Sequence, residues 1–369
     1  MNSDTSAEPY RSSAVAWACG LMHAVVDASS VAVLVWGVRA PDSATGGGPE
    51  YLPDDVIWSR FLLYTVLAFG TQFTIGAIAD HWRAYRGVLL GGLVTIAAAV
   101  AVGLVSPAVA NVLAALGSAA FHVGAGAMVL TRSPRKTAAA GVFVGPGAIG
   151  LAVGVWCVRS MNMGPWIFLG PLAVCIGVAL TLRTENQPGR ERAFRPLPFS
   201  RAMAVVCMGA IFLSVAIRSA NGHGVWAVHE GDAVVLWGLA IAACAGNILG
   251  GFVADRLGWV ATCLLVLLLS LPMLSFFVDY GAVAILGMVL FQMTMPITLT
   301  AVWRVFPGEA GLSFGLAALA VLAGVIPVYV FPTEWIMPRP VLLSLGLISI
   351  AAILIGLPPI VRRERTANL

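Results

Sequence analysis

The sequence predicts an all-α integral membrane protein whose twelve transmembrane helices form two six-helix, pseudo-symmetric bundles. Three observations predict it: an apolar composition, evenly spaced apolar runs, and a short motif that recurs at matching places in two halves. Hydrophobic residues make up 59% of the 369, and Asp, Glu, Lys and Arg together only 10%. A soluble domain of this length needs far more polar surface to face water. Lipid is the solvent that suits it, and the length accommodates twelve spans of about 20 residues with short connections.

Apolar runs place the first six spans near 13–38, 56–79, 88–105, 108–130, 138–158 and 165–182. The stretch that follows, with Glu185, Pro188, Gly189, Arg190, Glu191, Arg192 and Pro196, has the composition of a charged, flexible linker. Six more spans lie near 202–217, 233–254, 260–278, 282–303, 310–331 and 341–360. The expected organisation is an N-terminal bundle 1–183, a cytoplasmic linker 184–200 and a C-terminal bundle 201–369.

Of the 21 basic residues, all but Arg39, Arg60, Arg159, Arg218 and Arg339 fall on one side of these twelve spans. By the positive-inside rule that side is the cytoplasm, both termini lie there, and the protein is a multi-pass component of the cell (inner) membrane. Arg60, Arg159 and Arg218 are expected near outer helix ends, where long basic side chains snorkel to headgroups. Trp17, Trp36, Trp58, Trp226 and Trp335 fit an interfacial aromatic belt. The first apolar run follows a polar dozen residues and lacks a signal-peptide cleavage pattern, so it reads as a retained span. The net charge of +4 forms no basic stripe, which excludes nucleic acid as a partner. The six cysteines sit in or beside apolar runs without CxxC spacing, as small packing residues do.

After span two the chain reads Gly76-Ala-Ile-Ala-Asp80-His-Trp-Arg83-Ala-Tyr-Arg86, and after span eight Gly251-Phe-Val-Ala-Asp255-Arg256-Leu-Gly258. This repeated G-x-x-x-D resembles the signature loop of the major facilitator superfamily. The resemblance implies a secondary transporter with a conformational latch, in which glycine permits close helix approach and aspartate, at a helix end, biases the bundle's conformation. Arg83 stands where that loop usually has glycine. Span five, with Gly141, Gly145, Pro146, Gly147, Gly150 and Gly154, resembles the G-x-x-x-G-P-x-x-G-G motif of exporters in the superfamily, Ile149 replacing one glycine. A glycine face for packing and a proline kink for gating are what it implies. Pro296 in span ten and Gly324 with Pro327 in span eleven are further expected breaks suited to gating. His23-x-x-x-Asp27 and Ala120-Phe121-His122 give the first half a partial resemblance to fosmidomycin-resistance-like exporters.

Ionisable groups inside a membrane are costly, so each is a functional candidate. His23 and Asp27 share one helical face a turn apart, and His122 lies at mid-depth in span four. Histidine titrates near neutrality, and these three are the expected proton-coupling and substrate-binding groups, with protons as the coupling ion and no other cofactor. In the second half Asn247, Gln292, Thr294, Thr298 and Thr300 offer neutral hydrogen bonds, Asn247, Gln292 and Thr294 being expected substrate-binding residues, and Gln292 is expected opposite His122 across the cavity. The leading function is proton-coupled export of a small organic molecule by a monomer. A divalent-metal transporter is the alternative, with His23, Asp27 and His122 as ligands and Cys19 and Cys207 at comparable depth. An intramembrane enzyme is the alternative of another class. No nucleophile elbow, HExxH or P-loop supports it, and the chain reads as no enzyme.

Overall fold

A computed structural model describes residues 8–39, 51–133, 136–182, 200–331 and 338–367; Trp335 and most of the linker and the first outer loop lie outside them. The described chain is helical from end to end, with one isolated antiparallel bridge between Arg39 and Tyr51. The helices are α1 Glu8–Gly37, α2 Asp54–Trp82, α3 Tyr85–Val102, α4 Pro107–Arg132, α5 Thr137–Arg159 and α6 Pro165–Thr181. Then come α7 Arg201–Val228, α8 Ala233–Leu257, α9 Trp259–Phe276, α10 Gly281–Val305, α11 Ala310–Val330 and α12 Arg339–Ala367. Eleven of these described helices are long and apolar enough to cross a membrane, and α6 is a shorter apolar helix.

Local chemistry sets the ends. Pro107 and Pro165 open α4 and α6, where the missing N–H is harmless. Ser200 and Asp232 accept backbone N–H groups at the starts of α7 and α8. The turn after α2 is made by Arg83 at φ 49° and the turn after α8 by Gly258 at φ 90°. Both repeats turn through a positive φ at this position, Arg83 in the left-handed helical form and Gly258 in an extended one that glycine alone adopts readily.

Buried side chains gather in two principal clusters. One is drawn mainly from α1, α3, α4 and α5, and the other from α7 to α12. The clusters meet where α5 packs on α8 and where α2 and α4 pack on α11. Outward-facing residues such as Val94, Val174, Val205, Leu268 and Ile355 are apolar and exposed, as a lipid-facing surface requires.

The structure differs from the sequence reading in four places. Helix α7 does not stop at Ile217 but runs to Val228, because its polar residues find partners on neighbouring helices: Ser219 donates to the Val321 carbonyl and Asn221 to that of Leu342. Arg218 is consequently inside the helix and buried, not at an outer end. The break expected in span ten is present, between Gln292 and Met295, with Pro296 in the first turn of the second piece, so it is not one of the four. Helix α11 continues unbroken, since Pro327 falls in its last turn and removes a hydrogen bond only near the terminus. A π turn at Val66–Gly70, unsignalled in the sequence, lies within α2.

Candidate functional site

His23 and Asp27 leave α1 on the face that packs against α4 and α5. His23 Nε2 lies 3.1 Å from one carboxylate oxygen of Asp27, and His122 Nε2 from α4 lies 3.5 Å from the other. The two histidine Nε2 atoms are 2.7 Å apart. All three residues are largely shielded, and among the described residues they are the one group of His, Cys, Asp and Glu able to hold a metal ion.

Helix α5 makes room for this cluster. A methyl group at Gly147 would fall within 2.7 Å of both His23 and Asp27, and methyl groups at Gly150 and Gly154 would strike the α1 backbone at Ala24 and Ala28. On its opposite face Gly141 and Gly145 meet the α8 backbone at Asn247 and Cys244. The glycines of the exporter-like stretch are thus a double packing surface, placing α5 between α1 and α8. Pro146 leaves the Val142 carbonyl without its helical donor, and Gly20 of α1 lies directly over it.

Hydrogen bonds fix the tautomers. His23 Nδ1 lies 2.9 Å from the Phe143 carbonyl of α5, and His122 Nδ1 lies 2.7 Å from the Ser118 carbonyl of its own helix. A carbonyl only accepts, so each Nδ1 carries a proton and donates. The two Nε2 atoms are left as lone pairs pointing at one another and at a carboxylate. A separation of 2.7 Å between them is a hydrogen-bond length, and that bond requires one further proton. The geometry fits one added proton, one histidine donating to the other, with Asp27 beside both rings. His23 also stacks on Phe143, ring centres 5.0 Å apart.

The second-half candidates do not join this cluster. Asn247 donates within α8 to the Ala243 carbonyl, and Gln292 turns its amide toward the Met288 sulfur at 3.7 Å. Thr294, within the break in α10, and Thr298, a turn beyond it, receive the guanidinium of Arg218, with 3.0 Å to Thr298 Oγ1. Thr300 bonds within α10. Cys19 and Cys207 are buried free thiols outside the His–Asp group.

The two signature loops make the same contact in exchanged halves. Asp80, at the end of α2, accepts the Gly311 and Leu312 N–H groups at the start of α11, at 2.9 and 2.7 Å. Asp255, at the end of α8, accepts the Thr137 and Ala138 N–H groups at the start of α5, at 2.8 and 3.1 Å. Each carboxylate caps a helix N-terminus and complements its dipole. Gly76 and Gly251 allow it, for a methyl at either would collide with the capped helix. Tyr85 also donates to Asp80 at 2.7 Å, Arg83 donates to the Gly308 carbonyl at 2.9 Å, and Arg86 reaches the last carbonyls of α6. Arg256 and Asp255 are exposed, whereas Asp80 is buried.

No protein-family model matches the chain, and no curated protein matches it. Solved structures do. The E. coli fucose:proton symporter FucP aligns with a TM-score of 0.65 at 13% identity, over 95% of this chain and 98% of that one. The human organic anion transporter MFSD10 aligns at 0.66 and 16% identity, over 94% and 99%. A bacterial homologue of the iron transporter ferroportin, in an outward-facing state, aligns at 0.58 and 13% identity, over 96% and 100%. The finer resemblance to fosmidomycin-resistance-like exporters finds no support among them. Near-complete coverage at these scores shows the architecture: this chain has the fold of the major facilitator superfamily transporters.

Proposed function

We propose that the protein is a secondary transporter, not an enzyme, which moves a small organic molecule across the cell membrane as a monomer by alternating access. Its bundles, 1–183 and 201–369, rock about a site between them, and the proton is the coupling ion. The observation that carries this reading is the convergence of two histidine lone pairs and a carboxylate on a space that fits one proton. Taking up that proton leaves the cluster neutral, one imidazolium against one carboxylate, and releasing it leaves the buried Asp27 charge without its cation. Such a site changes its charge once per cycle, as coupling requires. The fold is shared with a protein titled a fucose:proton symporter. Export as the direction rests on the glycine-proline pattern of α5.

The closed contacts of Asp80 and Asp255 lie at the end of the molecule rich in basic residues. They support a resting state sealed on the cytoplasmic side. The test begins with a thermal-shift screen of metabolites on the purified protein. Compounds that bind are then loaded into proteoliposomes under a pH gradient. Movement that ignores the gradient, or that persists unchanged when Asp27, His23 and His122 are each replaced, removes the proposal.

A divalent metal ion is the second reading, favoured by three ligand atoms within 4.8 Å of one another and by the ferroportin homologue among the structural matches. Histidines sharing a tetrahedral zinc-like ion at ~2.0–2.1 Å hold their nitrogens about 3.3 Å apart. The observed 2.7 Å suits a proton, and a metal requires the rings to separate. Quenching of a metal-sensitive dye inside proteoliposomes by external Mn²⁺ or Fe²⁺, lost in His122→Ala, would establish the metal reading instead.

A further inference from the structure

We propose that Arg218 is the anion-binding half of the substrate site, receiving the carboxylate or phosphate group of a small organic anion between α7 and α10. The inference rests on the transporter reading above and supplies its substrate class.

Arg218 is 6% exposed, and about 15 Å of helix separates it from the end of α7 at Val228, at 1.5 Å per residue. Its partners are the Ser214 carbonyl and the hydroxyl oxygens of Thr294 and Thr298, all of them neutral. Both hydroxyl protons are already given to α10 carbonyls, so these oxygens serve the guanidinium purely as acceptors. Three donors are engaged, and a guanidinium has five.

No carboxylate among the described residues neutralises it. Among the described residues, Asp27 is the one acid in the interior of a span, and it is held by His23 and His122. The other described acids stand at helix ends or in loops. An unpaired cation inside a membrane span is costly and marks a ligand or ion pathway more often than a packing role. A planar guanidinium matches a carboxylate or phosphate with two parallel donors.

A second observation gives the anion its place. Gly222, one turn beyond Arg218 on the same face and itself buried, has space around it. A methyl group there would meet nothing nearer than the Phe291 ring at 3.9 Å. Buried glycines elsewhere in this half, such as Gly246, Gly250 and Gly324, are pressed against backbone. The room lies beside Arg218 and toward the turn of α10 that precedes Thr294. With one proton on the histidine pair and one negative charge on Arg218, the loaded site carries no net charge.

The experiment is thermal unfolding of the purified full chain with benzoate, succinate, phenylphosphonate and inorganic phosphate, beside the neutral isosteres benzamide and succinamide. At least one anion should raise the wild-type midpoint by about 2 °C or more at saturation, its neutral counterpart leaving it unmoved. Arg218→Met should abolish the shift and Arg218→Lys weaken binding by about tenfold or more. Gly222→Leu, which fills the space without touching the charge, should abolish the shift while the unliganded midpoint holds, and it serves if Arg218→Met does not fold.

Equal shifts from anion and isostere, no shift from any anion, or an undiminished shift in Gly222→Leu would each overturn the proposal. A merely structural Arg218, pinning the break in α10, predicts these results. Asp27→Asn separates the two readings, because it should retain the anion shift and lose response to a pH gradient. An anion shift without proton coupling sinks only the transport mechanism, and coupled movement of a neutral solute sinks only the anion.

Discussion

His23 and His122 meet edge to face with their Nε2 atoms 2.7 Å apart, each having committed its Nδ1 proton to a backbone carbonyl. Neither ring has a second proton of its own to place between them. The contact has the geometry to hold one added proton, and Asp27 lies within reach of both rings as its counter-charge.

Asp27→Asn keeps the shape of that counter-ion and removes its charge. The loss of one charge-assisted interaction, about 1.5–3 kcal/mol, corresponds to roughly a ten- to hundredfold fall in pH-gradient-driven transport. Rates in proteoliposomes under a fixed gradient measure it. Wild-type rates in this variant and in His122→Ala would remove the cluster from the coupling mechanism.

Gly147→Ala tests the same site sterically. The added methyl has no room beside His23 and Asp27, so overpacking should cost about 1–3 kcal/mol and reduce coupling. Gly91→Ala, where the methyl meets nothing within 4 Å, is the control. Equal unfolding midpoints for the two variants would contradict the close packing of α5 on α1.

Asp80→Asn and Asp255→Asn should each loosen one latch. An amide still accepts a hydrogen bond but loses the charge that complements the helix dipole, about 0.3–1 kcal/mol at an exposed site and more at a buried one. The effect should be larger at buried Asp80 than at exposed Asp255. Labelling of a cysteine introduced at Ala84, beside the first latch, should accelerate in Asp80→Asn. Unchanged labelling would mean that the contact does not hold this face closed.

Arg83 provides a backbone test. Glycine accepts the left-handed conformation at 49° without the roughly 1 kcal/mol that other residues incur. Arg83→Gly and Arg83→Ala both lose the bond to Gly308, so Arg83→Gly should be the more stable of the pair by about that amount. Chemical or thermal unfolding of the two variants decides it, and the reverse order refutes the strain.

The helices and the His23–Asp27 pair were legible because both are local. Apolar runs announce spans, and a spacing of four puts two side chains on one face of any helix. His122 was legible from its depth in span four. Arg218 was misplaced because Ser219, Asn221, Gly222 and Gly224 carry the composition of a loop, and only tertiary hydrogen bonds to α11 and α12 keep them helical. A signal was nonetheless present: no proline interrupts Arg201 to Val228, and Val225 and Trp226 resume the apolar pattern. The signature aspartates were found, but not that each caps a helix of the other half. That pairing links residues more than a hundred positions apart and leaves no local trace.

Helix α5 has consequences beyond packing. Its glycines bring its backbone against both α1 and α8 with few side-chain teeth at the crossings, Phe143 on His23 being one, so it sits between two neighbours like a bearing. The Phe143 carbonyl on this helix holds the His23 Nδ1 proton, while Gly141 and Gly145 ride on α8 in the other half. Any slip of α5 that follows α8 must stretch the bond to His23 and release its ring from the tautomer it now keeps. Displacement in one half is thereby felt as a change of proton acceptor in the other.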